Sequence, residues 1–276
     1  MTTAAAPESD RELEYVDYEG FAREITSMRR EILERISSAD LNHLKRVERW
    51  GRLCSLLGYT TAWLAPNPLS ALLISQGNLT RWMVMHHVGH RGYDRVPGVP
   101  RRYTSEVFAM GWRRYIDWFD WIVPEAWNYE HNTLHHYYTG EQQDPDLVER
   151  NLDFLRRMKA PLWIRYVVVL LLAVSWKLYY YAPTTLLRLQ KERQRRAGVR
   201  ATSGPTYAYA LFNPFSRAGG EFWRRCLLPY ATVRFAVLPA LFLPLGVYTG
   251  LGAWPAVFVL LNTILAETFT NLHAFI

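Results

Sequence analysis

EHNTLHHYYTGEQQDPD, residues 130–146, sets three histidines ahead of a run of acidic and amide side chains. Upstream, MHHVGH at 85–90 holds three more, so six of the chain's 8 histidines stand in two clusters. His86 and His90 are four residues apart, as are His131 and His135, and on a helix each pair shares one face. His136 then projects about 100° from His135, an offset that lets the two rings address different metal ions. Imidazole suits zinc, copper, iron and nickel, so residue type alone does not fix the element. A lone histidine is usually a satisfied core or surface residue, and His43, among the charges of LNHLKRVERW, reads that way. Two paired clusters, the second with an adjacent third histidine, favour metal binding.

Other chemistries fit poorly. A zinc protease needs a glutamate directly after the first histidine of such a pair. Here that place is held by His87 and Asn132, and Glu130 precedes His131 instead. No serine or cysteine sits in a nucleophile elbow. Cys54 and Cys226 are far apart without metal-type spacing, so they read as small core residues and not as a disulfide framework.

The surrounding composition points to a membrane. Half of the 276 residues are hydrophobic and 14% are aromatic, with 11 Trp and 17 Tyr, the residues enriched where bilayer meets water. Three apolar blocks stand out. The first, 53–85, is divided by Pro66-Asn67-Pro68, which predicts a helical hairpin. Each of its arms has about 15 residues, or about 22 Å, short of a ~30 Å hydrocarbon core. The sequon Asn78-Leu79-Thr80 falls inside one arm and is disregarded. The second block is 162–187. The third, 227–276, is split by Gly250, Gly252 and Pro255 and reads as a second hairpin.

Lys and Arg accumulate on cytoplasmic loops. Both the loop 86–161, with Arg91, Arg95, Arg101, Arg102, Arg113 and Arg114, and the basic run 188–200 therefore belong on that side. A single crossing at 162–187 would separate them. That block is accordingly expected to be interfacial or re-entrant, with Arg165 and Lys177 snorkelling outward. The net charge of +7 suits anionic headgroups. Nucleic acid is not expected, because the basic runs flank apolar blocks and no reading motif accompanies them.

Residues 1–50 contain no apolar leader and are expected to form a cytoplasmic N-terminal tail with amphipathic helices. Within it Phe21, Ile25, Met28 and Ile32 recur at helical spacing, with Arg23, Arg29, Arg30 and Glu31 on the opposite face. SSAD at 37–40 offers N-caps for the next helix. Residues 51–276 form the membrane domain. The expected fold is an all-α integral membrane protein, multi-pass, with two transmembrane helical hairpins and a cytoplasmic helical cap carrying the histidines.

HHVGH, EHNTLHHYYTGEQQDPD and NLHAF at 271–275, in this order after helical hairpins, resemble the membrane fatty acid desaturase family over roughly residues 50–276. The resemblance implies a pair of irons held almost wholly by histidine. It also implies O2 and two electrons as co-reactants, a lipid acyl chain as substrate, and a C=C bond as product. On the family's pattern His86, His90, His131, His135, His136 and His273 carry over as ligands, with His87 a further possibility. Metal-bound imidazoles usually pass their free N–H to a carboxylate or carbonyl, which makes Glu130, Glu141, Asp144, Asp146 and Asn271 candidate supports. RRYIDWFDWIVPEAWNYEH, with Trp118, Trp121 and Trp127, either caps the site and lines an acyl tunnel or lies in the headgroup layer.

The family's third box, HxxHH, does not follow His273, so the chain is expected to be part of a longer desaturase. No His-Pro-Gly-Gly haem motif is present, so the electron donor is expected to be a separate protein, a ferredoxin or a cytochrome. Related hydroxylases and ketolases share the ligand set, and a histidine-bearing membrane protein without catalysis is the remaining alternative.

Overall fold

The computed structural model describes residues 16–199 and 207–275, and among these the chain is helical, without a strand. Helix α1 spans Tyr18–Arg35 and α2 spans Ser38–Ala62, with a reciprocal capping box between Ser37 and Asp40 at its start. Helix α3, Pro68–Gly89, opens with Pro68 in its first turn and Asn67 as N-cap, whose side chain accepts from the Ser70 amide. Proline fixes φ and lacks only a donor that a first turn leaves unused, so Pro66-Asn67-Pro68 ends one helix and starts the next.

The two arms of this hairpin approach closely where side chains are smallest. A Cβ on Gly58 would stand 2.7 Å from the Ile74 side chain, closer than real Cβ atoms come. Small residues at helix contacts are how apolar helices gain dispersion energy without a hydrophobic drive between them.

Helix α4 begins at Pro124–Tyr129, widens into a π turn at Glu130–His135 and closes with His136–Tyr138. Helix α5 is Leu162–Arg196, α6 is Arg217–Thr249 and α7 is Trp254–Phe275. These last three are long and apolar enough to cross a membrane. Neither arm of the first hairpin is among them. Gly250 (φ 75°) and Gly252 (φ 60°) make the turn between α6 and α7 in the left-handed region that favours glycine.

Helix α7 lies along α3. Asn262 accepts from the Asn67 amide (2.9 Å) and donates to the carbonyls of Ala62 and Ala65, bracing the hairpin turn. Farther along, Thr270 donates to Ser75 and accepts from Asn78, so the sequon asparagine is a helix-packing residue. Glu267 accepts from Trp121 (3.0 Å) and Tyr230 (2.8 Å), with Arg234 of α6 alongside at 3.8 Å. These polar bonds join α4's approach segment, α6 and α7 into one body.

The block 162–187 lies within the helix Leu162–Arg196 of 35 residues, which carries a π turn at Lys177–Tyr181. That helix is about 52 Å long at 1.5 Å per residue. Its C-terminal part nonetheless stays beside the histidines: Tyr181 donates to Glu130, and Tyr129 donates to Glu192. The basic run that follows therefore lies at the same end of the bundle as α4. Trp118, Trp121 and Trp127 are at most 6% exposed, so they form core and not a headgroup-layer face. His43 is exposed, and Cys54 and Cys226 are buried and free.

Candidate metal centre

The end of α3 delivers the first histidine cluster and α4 the second. Asn132 donates to the carbonyl of Gly89 (3.0 Å) and to Asn128, stitching the two segments together. Gly89 is the residue that lets them meet, since a Cβ there would come within 2.6 Å of the Trp127 ring.

The resulting nest is tight. Ring centroids are 4.6 Å apart for His86 and His90, 4.8 Å for His86 and His131, and 5.0 Å for His90 and His131. His136 reaches His90 at 4.7 Å and His131 at 4.8 Å. His135 lies 5.2 Å from His131. In an α-helix His131 and His136 would point about 140° apart. The π turn at Glu130–His135 adds width to the turn, and His131 comes close to both His135 and His136.

Two sets of ligand atoms converge, each within 4.8 Å: His86, His90 and His131, and His131, His135 and Asp146. His131 is common to both. It is 9% exposed, stacks on Trp127 at 4.5 Å, and neither of its ring nitrogens has a hydrogen-bond partner. His86 Nδ1 is likewise buried and unpartnered. Buried ring nitrogens without partners are costly unless something else binds them, and a cation fits that need.

Electrostatics favours the ligating form. Burial, then the neighbouring histidines, push His131 down to about 3 and His86 down to about 4. His90 is lowered by burial and by His136 and His87. These imidazoles are therefore neutral at pH 7, with a lone pair free for a metal.

Asp144 holds His135. Its carboxylate lies 2.8 Å from His135 Nδ1 and also accepts from the amides of Gly140 and Asp146. Burial alone would raise this carboxyl, but those hydrogen bonds keep it below its ordinary value. An ionised carboxylate only accepts, so Nδ1 carries the proton and Nε2 keeps its lone pair. Replacing Asp144 by Asn should reduce metal affinity about 10–100-fold, measured by chelator competition on the purified protein.

The other expected residues are placed less uniformly. Asp146 sits 3.9 Å from His135 Nδ1. Glu130 is buried and accepts from Tyr181 of α5 at 3.3 Å. Burial, then the charge of Asp146, push its carboxyl well above the usual carboxylate range. Glu141 is exposed on the turn after α4, and His87 is exposed on the outer side of α3. The structure does not bring His273 into either converging set: it is exposed on the last turn of α7. Asn271, two residues before it, donates to the Val174 carbonyl and accepts through its own carbonyl from Trp176, tying α7 to α5.

Sequence reasoning did not find Trp82, which tilts against His86 at 5.5 Å, and left open the position of Trp127. Trp82 lies one turn before His86 on α3, an i, i+4 relation that could have flagged it.

A model of the fatty acid desaturase family matches residues 61–275, a span containing both histidine clusters. The chain belongs to the fatty acid desaturase family. No curated protein and no solved structure matches it. The family is one of histidine-box iron enzymes. A desaturase of this kind is a membrane oxidoreductase acting on lipid, in keeping with three helices fit to cross a bilayer. The converging histidines are where this member of the family can bind metal.

Proposed function

We propose that the protein is an O2-dependent di-iron desaturase that introduces a C=C bond into a lipid acyl chain. The observation that carries this reading is His131, buried at the junction of two convergent ligand sets with both ring nitrogens unsatisfied. His86, His90, His131, His135 and His136 would hold the irons, with Asp144 orienting His135. His273 joins them only through a rearrangement of the end of α7.

Bound iron would supply the activation of O2 that removal of hydrogen from an unactivated methylene requires. The balance is one –CH2–CH2– unit, O2, two electrons and two protons giving –CH=CH– and two waters. Trp127 and Trp82 wall the nest with apolar surface, excluding water that would intercept a reactive centre. Neutral imidazoles keep net negative charge away from the acyl chain. The electrons come from a separate donor, a ferredoxin or a cytochrome. We assign the histidine-bearing end to the cytoplasm on the positive charge that the sequence carries in the loop 86–161 and the run 188–200.

The test is a host expressing the protein and fed a perdeuterated fatty acid, with lipids analysed by mass spectrometry. A desaturase yields a product lighter by two deuterium atoms that carries a new double bond, absent with His131→Ala. A product with one deuterium replaced by hydroxyl would reassign the enzyme as a hydroxylase. No new product in a host supplying the donor would overturn catalysis.

A further inference from the structure

Helix α1 is amphipathic, yet its apolar side is not buried against any other described element. Tyr18, Phe21, Ile25, Met28 and Ile32 are each 42–60% exposed, and the helix has no buried residue. Their spacing of 3, 4, 3 and 4 is the narrow a/d seam of a coiled coil and not the broader stripe of a helix lying on a core. Tyr18, Ile25 and Ile32 occupy a positions, and Phe21 and Met28 occupy d positions.

That register fixes the flanks. Glu24 and Glu31 fall at g, and Arg29 falls at e. In two parallel copies a g residue meets the e residue five positions later on its partner, so Glu24 would face Arg29 of the second copy, twice by symmetry. Antiparallel copies would bring glutamates at g together. Among the described residues neither Glu24 nor Arg29 has an ionic partner within the chain, whereas Arg23 and Arg35 pair with acids of their own helix or its N-cap. The helix carries four arginines and four glutamates, so it offers anionic headgroups no net attraction.

We propose that α1 is a dimerisation element that pairs in parallel with α1 of a second copy of this chain. The seam of about two and a half heptads is short for an isolated helix pair, since short helices are marginal in water. Anchoring both copies in one bilayer raises their effective concentration and orients them alike, which favours the parallel pair.

The experiment uses the full chain in membranes with a single added cysteine, the native Cys54 and Cys226 being buried. Phe21→Cys, at the seam, should form an intermolecular disulfide on mild oxidation, whereas Arg23→Cys, on the outer face, should stay monomeric. Adding Glu24→Arg to Phe21→Cys should lower cross-linking several-fold, and Glu24→Arg with Arg29→Glu should restore it. Phe21→Cys remaining monomeric, as expected if lipid covers this face, would overturn the proposal. Cross-linking indifferent to Glu24→Arg would overturn it as well.

Discussion

His131→Ala should strip the purified protein of its metal. His131 belongs to both convergent sets, so its loss leaves His86 with His90 on one side and His135 with Asp146 on the other. Losing a residue that only supports a ligand already costs about 10–100-fold in affinity, and loss of a shared ligand should reduce bound iron to below about a tenth of wild type. Elemental analysis of detergent-purified protein checks this, alongside folding by circular dichroism. The control is His87→Ala, which alters an exposed imidazole outside both sets and should leave metal content near wild type. Equal metal in the wild type and His131→Ala would mean that the nest is not where metal binds.

The second large effect lies in the buried ion pair between Lys177 of α5 and Asp120 on the approach to α4. Their charged atoms are 2.8 Å apart, and the side chains are 1% and 7% exposed. Lys177 also lies 5.9 Å from the ring of Trp82, the residue against His86. Asp120→Ala would leave an ammonium buried without its counter-charge, a change that costs about 3–5 kcal/mol. The unfolding midpoint should fall by roughly 10 °C for a chain of this size. Asp120→Ala combined with Lys177→Met removes both charges and should recover most of that loss, because an apolar pair of similar volume avoids the desolvation penalty. If the double variant is as unstable as the single one, shape and not charge is what the pair contributes.

These two sites differ in how visible they were before the fold was known. Histidines at i, i+4 announce a shared helical face, and the prolines at 66 and 68 announce a hairpin, because both signals are local. The α1 stripe is legible for the same reason. Asp120 and Lys177 are 57 residues apart, and Arg234 and Glu267 belong to different helices, so only the packed bundle reveals them as partners. The aromatic stretch before the second cluster had two readings, and burial of Trp118, Trp121 and Trp127 decided for the interior. For block 162–187 the legible signal is the charge at its ends. The contact of Tyr181 with Glu130, at the π turn Lys177–Tyr181 of the same helix, places its basic end beside the histidines.

The π turn of α4 changes how ligand spacing is counted. With the backbone hydrogen bond slipped by one residue, the useful interval from His131 includes i+5 as well as i+4, so the rings of His135 and His136 both come close to that of His131. A regular α-helix carrying the same EHNTLHH would offer His131 and His135 together and turn His136 away. Transplanting the motif onto an idealised helical scaffold would therefore keep His135 beside His131 and lose the approach of His136. A designer would have to copy the irregular backbone along with the letters.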